Sequence, residues 1–409
     1  VCCPMTMTYA AVPALRADPA LDLAWRPRLL SRAYDHSNQP AAQKTGATMG
    51  MAMTEKQGGS DVRANTTRAD RDGEGYRLFG HKWFCSAPMS DAFLTLAQAP
   101  DGLTCILVPR WTPDGARNPI HLMRLKDKLG NRSNASAEIE YHGAWAKRLG
   151  DEGAGIKTIV EMVHHTRLDT AMAPAGLMRA ALSEAAWWCR NRTAFQRRLI
   201  DQPLMAAVLA DLALDWEGAL ALGLRVALAF DESATDPTAR SFARLAVALA
   251  KYASNKRCPQ VVYEAMECLG GAGYVEDCPL PLLYREAPLN SIWEGSGNVI
   301  CLDVLRTLAR EPTSQEALLV ELELARGGHR HYDSALDGAV RRWTNGPDER
   351  DARWFVETFA LLLQASLLLR DAPSAVAEAF VVTRLGHDRG RTAGALNRAF
   401  DPSPMLDRL

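Results

Sequence analysis

The tightest constraint on this chain is a change of hydrophobic period near residue 150. From about Thr48 to about Glu140 apolar residues recur at every second position; from about Gly155 onward they recur every third or fourth. A period of two sends alternate side chains to opposite faces of a strand, whereas a period of 3.6 lines them along one stripe of a helix. The first stretch therefore reads as a β unit. Phe93, Thr95 and Ala97 alternate with Leu94, Leu96 and Gln98, and Thr104, Ile106 and Val108 form a run closed by Pro109. Ala135, Ala137, Ile139 and Tyr141 alternate with Ser136, Glu138 and Glu140. Turn signals at Asp72-Gly73, Asp101-Gly102 and Asp114-Gly115 separate the runs and point to antiparallel pairing.

The remainder reads as helices. Ile156, Ile159, Val160 and Val163 mark one stripe; Leu204, Val208, Leu212 and Trp216 mark another, with Asp201 before Pro203 as its expected cap. A third helix runs from about Ser241 to Leu269 and stops at Gly270-Gly271. Long helices with short connections form a bundle. From Arg306 to Leu409 the composition shifts to 14 Arg and no Lys against 15 Asp and Glu, and Phe355, Phe359, Leu362 and Leu363 fit one apolar face. This block reads as an appended helical unit.

The fold class is thus α+β: a central antiparallel β domain (48–148), a long-helix bundle (149–305) and an additional C-terminal helical region (306–409). Residues 1–47 start Val1-Cys2-Cys3 and run straight into an apolar stretch, Met5 to Leu15, which reads like the middle of a helical domain. Across 409 residues, 47 Lys and Arg against 48 Asp and Glu leave a formal net charge of -1, so no global field draws the chain to nucleic acid or to an anionic membrane. No window of eighteen apolar residues lacks a charge, and no membrane span is expected. Nine Cys without framework spacing read as reduced thiols in a cytoplasmic protein.

Three clusters carry chemistry. The first, Met51 to Asp61, sets Met51, Met53 and Thr54 before Gly58, Gly59 and Ser60. Adjacent glycines let backbone N–H groups approach an anion or a ring carbonyl, and the hydroxyls add uncharged donors; a plain polar turn has the same look. In the second, Gly80 to Ser86, a flat ring could pack on Trp83 or Phe84 with Cys85 and Ser86 at its edge, as an ordinary half-buried strand would also allow. The third runs from Tyr284 to Asn298. Glu294 lies between Trp293 and Gly295, where partial desolvation would raise its proton affinity toward that of a useful base. Ile292, Gly295, Ser296, Gly297 and Asn298 surround it, and a helix beginning near Asn298 would aim N–H groups at the same place. A solvated loop carboxylate beside a helix cap is the plainer alternative. His164-His165 face different sides of a helix, Gly270-Gly271-Ala272-Gly273 follows a helix rather than a strand, and no metal site, dinucleotide fingerprint or Walker loop emerges.

Together the three clusters resemble, in order and spacing, the flavin site of the acyl-CoA dehydrogenase family. Met53 to Thr67, Leu125 to Ser136, Tyr284 to Arg306 and Cys3 to Thr8 are similar to its AidB-like, adaptive-response branch. The resemblance implies FAD as cofactor, with Thr54 and Ser60 at the pyrimidine edge and phosphates, Phe84 against the isoalloxazine and Ser86 at N5. It implies that Asn191 to Phe195, with Arg192 and Phe195, reaches a neighbouring subunit's flavin in a homo-oligomer, a tetramer by likeness. Ile292 to Leu302 becomes the last flavin-contacting loop, with Asn298 its polar partner. Glu294 falls at the catalytic base of the short- and medium-chain enzymes; the alternative base position on the helix is Thr166 here, which cannot serve.

The implied reaction is α,β-dehydrogenation of an acyl thioester. Lys56-Gln57 replaces a Pro-containing step and Trp293 replaces a common Tyr, which weighs toward weak turnover. The branch further implies double-stranded DNA as a partner, protection from or repair of alkylation damage, and an acyl-CoA or alkylating small molecule as ligand. Arg341, Arg342, Arg384, Arg389, Arg391 and Arg398 are the candidate DNA contacts, provided one face gathers them. The other readings are a metabolic short- or branched-chain acyl-CoA dehydrogenase and a non-catalytic flavin-bound module covering DNA. The resemblance also implies a helical region of roughly a hundred residues or more ahead of residue 1.

Overall fold

The computed structural model describes residues 2–386 and 389–409. The chain divides into two compact units, Val1–Thr166 and Arg167–Leu409.

In the first unit, helices α1 (Cys2–Leu15) and α2 (Pro19–Leu29) precede seven strands: β1 (Met49–Ala52), β2 (Arg68–Asp72), β3 (Gly75–Ser86), β4 (Ala92–Ala99), β5 (Gly102–Pro109), β6 (Ile120–Leu125) and β7 (Ser136–Arg148). The Asp18 carboxylate caps α2 by accepting from the N–H groups of Ala20 and Leu21. Neighbours run β1-β4-β2-β3-β7-β5; β5 also pairs with β4, so five of the strands close on themselves, and β6 adds to β7. Leu78, Cys85, Phe93, Ile106, Ile139 and Tyr141 fill the interior of this ring.

Most pairings are antiparallel, as the alternation predicts, but β1 runs parallel to β4, with Met49 opposite Ala92 and Ala52 opposite Thr95. The β2–β3 hairpin intervenes between them and returns the chain in the same direction. Strand β4 is apolar on both sides because both are covered. Phe93 and Ala97 enter the ring, while Leu94 and Leu96 pack with Ala11, Leu15 and Met162 in a second core.

In the second unit, α3 (Gly155–Asn191) continues from the first and is followed by α4 (Pro203–Glu232), α5 (Pro237–Cys268), α6 (Leu280–Glu286), α7 (Gly297–Arg310), α8 (Pro312–Glu323), α9 (Arg330–Arg342), α10 (Ala352–Asp371) and α11 (Ser374–Arg384). A short hairpin, β8 (Thr193–Ala194) and β9 (Arg197–Arg198), links α3 to α4. Gln202 caps α4, with Pro203 next; the expected cap, Asp201, is instead held by Arg198 at 2.8 and 3.1 Å.

The C-terminal block is not an appendage. One continuous core holds Leu182 of α3, Leu209 of α4 and Leu249 of α5 together with Leu318, Tyr332, Phe355, Leu363, Val376 and Phe380 from beyond residue 305. Phe380 is fully buried, which contributes about 1.5–3 kcal/mol. Gly218 of α4 lies against its ring; a Cβ there would come 2.8 Å from it. Residues Glu349–Asp371 are long and apolar enough to cross a membrane by length and composition, yet Phe355, Val356, Phe359, Leu362 and Leu363 spend that apolar surface inside this core.

Charge ties the same elements. Glu321 of α8 accepts from Arg225 of α4 at 2.9 Å and from Arg370 of α10 at 2.7 Å. Arg384, expected on a DNA-facing surface, is buried: its guanidinium meets Asp211 at 2.5 Å and Asp215 at 2.7 Å, with 2% of the side chain exposed. The reason is electrostatic, since two carboxylates on the inner face of α4 require a counter-charge. Arg384→Met should lower stability by about 3–5 kcal/mol, because Arg389 and Arg257, the remaining partners of Asp211 and Asp215, are less enclosed than Arg384, as measured by denaturant unfolding.

Candidate functional site

Residues 53–67 form the loop after β1, and its shape is set from inside. The Glu55 carboxylate turns into the β core and meets the Lys82 ammonium at 2.7 Å, both side chains fully buried. It also accepts from the N–H groups of Thr66 (2.7 Å) and Thr67 (3.2 Å) and from the Gln57 amide (2.7 Å). Lys82 donates a further bond to the Leu96 carbonyl at 2.8 Å. Burial alone would raise the Glu55 pKa; the Lys82 charge and these donors outweigh it and hold the carboxyl at about 2. Backbone bonds between Glu55 and Gly58 close the turn, and Asn65 holds the Met53 carbonyl at 2.8 Å. A Cβ on Gly58 would sit 2.6 Å from Asn65 Oδ1, so only glycine fits.

The loop is pinned to β3 where the second cluster lies. The Trp83 N–H donates to the Thr54 carbonyl at 2.7 Å. Lys82 faces inward, and a bulge between Lys82 and Cys85 leaves Phe84 46% exposed. Cys85 does not belong to a binding surface: its thiol is buried in the β core and pushed up to about 12 by that burial, so only its backbone is available. The Ser86 and Ser136 hydroxyls lie 3.3 Å apart, and the Lys128 ammonium reaches Ser136 Oγ at 3.0 Å. The Lys126 ammonium stands 3.2 Å from the Trp83 ring centre and 4.6 Å from that of Phe84. The first two clusters are therefore brought together. Gly59 and Ser60 are exposed, while Met51 and Met53 pack partly against the core beneath.

The third cluster belongs to the second unit. Glu294 sits in a turn before α7 with φ of 56°, followed by Gly295 at 102°. A non-glycine residue in the left-handed region needs support from its surroundings. Arg167 Nε donates to the Glu294 carbonyl at 3.1 Å, and Lys251 Nζ donates to the Gly295 carbonyl. Arg167 is itself held by Asp303 at 2.6 Å, which also binds Arg244 at 3.1 Å. Burial would raise the Asp303 pKa, but these two guanidinium groups bring it to about 2.

Trp293 is fixed by its indole N–H on Asn290 Oδ1 at 2.9 Å, while Ile292 is exposed. Ser296 caps α7 through its backbone position, and Gly297 is buried against Lys256 and Tyr252. Asn298 Oδ1 already accepts from Arg353 of α10 at 2.8 Å. Arg192 is exposed beside the β8–β9 hairpin, whose tip carries Phe195, 89% exposed, with φ of 51° and Gln196 at 64°.

The matched family models are the acyl-CoA dehydrogenase middle domain over residues 50–144, the acyl-CoA dehydrogenase C-terminal domain over 153–309, and the adaptive response protein AidB N-terminal domain over 1–36. AidB of Escherichia coli (strain K12) is 47% identical over 380 residues, covering 92% of this chain and 70% of that protein. The chain belongs to the acyl-CoA dehydrogenase family. Acyl-CoA dehydrogenase family member 11 of Caenorhabditis elegans is 35% identical over 351 residues, 82% of this chain and 56% of that protein, so the chain spans little more than half of this relative. Among solved structures, Caenorhabditis elegans ACDH-11 in complex with C11-CoA is similar with a TM-score of 0.85 and 30% identity, covering all of this chain and 74% of that one.

As in the acyl-CoA dehydrogenase fold, helices precede a middle β domain and a helical domain follows. Thr166 is buried and bonds the Val163 carbonyl of its own helix at 3.1 Å. Of the arginines singled out for DNA, Arg341, Arg342, Arg391 and Arg398 are exposed, and Arg342 stacks 4.1 Å over Trp354. Arg389 is largely drawn to Asp211 at 3.2 Å, and Arg384 is enclosed.

Sequence reasoning missed the supporting ions: Glu55 with Lys82, Lys126 beside the aromatic pair, Lys128 on Ser136, and Arg167, Lys251 and Asp303 behind Glu294. The one signal was Lys82, a charge at an inward position of an alternating strand, which demands a buried partner. Glu55→Gln should cost about 3–5 kcal/mol by leaving Lys82 charged and alone, and Glu55→Gln with Lys82→Met should recover most of it. The Glu55 carboxylate is held below its unfolded value of 4.5, so its contribution is present above that pH and lost as pH falls toward about 2. Denaturant unfolding of both variants at pH 7 and pH 3 should show the wild-type advantage shrinking at the lower pH.

Proposed function

We propose that this chain is an AidB-type flavoprotein that holds FAD, retains the acyl-thioester dehydrogenation machinery in weakened form, and presents arginines to duplex DNA. The observation that carries the reading is Glu294, a half-buried carboxylate on a backbone turn anchored by two cations.

The residues fit a flavin. Phe84 offers an exposed aromatic face, Ser86 a hydroxyl, the Thr54–Ser60 turn uncharged donors, and Lys126 a positive charge beside them, while Glu55 turns its negative charge inward. When bound, FAD supplies an acceptor for a hydride from the β carbon of an acyl thioester. Glu294 takes the α proton on its carboxylate, and its own N–H polarises the thioester carbonyl. Trp293, locked by Asn290, walls the acyl chain and excludes water. Lys56-Gln57 and Trp293 depart from the family pattern and support slow turnover. An acyl-CoA ligand draws support from ACDH-11, whose structure holds C11-CoA.

Kinship with AidB supports the DNA-protecting role over a purely metabolic one. Arg341, Arg342, Arg391 and Arg398 are the exposed charges that would contact phosphates.

The purified protein should show flavin absorbance that isovaleryl-CoA bleaches slowly, and Glu294→Gln should slow bleaching by at least about a hundredfold at unchanged flavin content. Bleaching at the wild-type rate in the variant removes Glu294 as the base. Duplex binding should weaken steeply between 50 and 200 mM salt, and Arg341→Ala with Arg342→Ala should reduce the slope by about 2.

A further inference from the structure

Lys251 lies in the middle of α5, is 1% exposed, and spends its ammonium on a backbone carbonyl rather than on a carboxylate. A buried ammonium without a directly bonded counter-ion is costly, so its location calls for a reason. That carbonyl belongs to Gly295, the residue after Glu294, and the Glu294 carbonyl is taken by Arg167. Two cations from α3 and α5 thus grip consecutive carbonyls of a turn whose two residues both have positive φ.

Side chains crowd the glycines of this turn. A Cβ on Gly295 would meet Ile300 at 3.0 Å and Arg167 at 3.6 Å, and one on Gly297 would meet Lys256 Nζ at 3.2 Å. Below Lys251, Asn255 ties α5 to α3 by donating to the Thr170 carbonyl at 2.8 Å.

We propose that Lys251 is a positioning residue for Glu294: it locks the left-handed turn through the Gly295 carbonyl and adds a positive charge beside it. This rests on the reading of Glu294 as the base. The charged groups acting on Lys251 are Arg167 of α3, Glu294 of the turn and Lys256 of its own helix. Arg167 and Arg244 are answered by Asp303, while Lys251 and Glu294 lie within reach of one another's charge. Burial first, and then the Arg167 charge, bring Lys251 down to about 7, against the opposing pull of Glu294. The charge-assisted anchor is therefore strongest below neutrality and weakens as pH rises through that value.

The test uses the full chain as purified and compares wild type with Lys251→Met, which keeps length but loses donor and charge, Lys251→Arg, which keeps both, and Val247→Ala, which loosens the same helix elsewhere. Hydrogen exchange of the peptide spanning 288–301, read by mass spectrometry and corrected for intrinsic rates, needs no flavin. Exchange there should rise about tenfold in Lys251→Met, stay closer to wild type in Lys251→Arg, and be unmoved in Val247→Ala. With isovaleryl-CoA, the acid limb of flavin bleaching should move up by about half a unit or more in Lys251→Met and stay in place in Val247→Ala. Unchanged exchange in Lys251→Met, or equal loosening by Val247→Ala, overturns the proposal. Bleaching absent from every form instead overturns the reading of Glu294, and the exchange comparison still decides the role of Lys251.

Discussion

The ion pair between Glu55 and Lys82 is the interaction on which the first unit's surface depends. Both charges are sealed from water, so neither can relax by moving outward, and each must keep its partner. Through Thr66, Thr67 and Gln57 the same carboxylate fixes a fifteen-residue loop onto the β ring. Lys82 holds the inward position just before the bulge that breaks the alternation of this strand and leaves Phe84 at the surface. The apolar core supplies most of the stability of the ring, but the ions choose which loop conformation it carries.

The second unit applies similar physics at larger scale. Helices beyond residue 305 contribute to one core with α4 and α5, and two buried charge clusters cross the same boundary: Glu321 with Arg225 and Arg370, and Arg384 with Asp211 and Asp215. The result is a C-terminal region welded to the bundle rather than hung from it. Arg353 extends that link to the helix after the Glu294 turn by bonding Asn298. Substitutions in α10 or α11 therefore act on the scaffold that holds the turn, and not on an independent module.

The candidate sites of the two units differ in what is held. In the first unit an anion is buried and backbone N–H groups converge on it; in the second, cations are buried and backbone carbonyls converge on them. Both arrangements use the full charge of a side chain to fix backbone that has no regular hydrogen-bond ladder of its own. Among the described residues no group of three or more His, Cys, Asp or Glu side chains is arranged to hold a metal ion.

Much of the architecture was legible beforehand. The change of period near residue 150 marked the passage from strands to helices, Gly270-Gly271 marked the end of α5, and the helix after Glu294 begins at Gly297, one residue before its expected start. Such features are local: pleat, helical stripe and turn chemistry are written within a few residues of one another. What was not legible depends on partners far apart in the chain. The alternation along 93–98 could not show that β4 is covered on both sides, nor that β1 would lie parallel to it. An exposed and a buried arginine look alike in sequence, so Arg384 passed for a surface contact until Asp211, 173 residues away, was seen against it. By itself the sequence determined the elements, their order and the three clusters that carry chemistry. Only the tertiary structure decided which charges are enclosed and what they hold, because desolvation is a property of the packed neighbourhood and not of the residue.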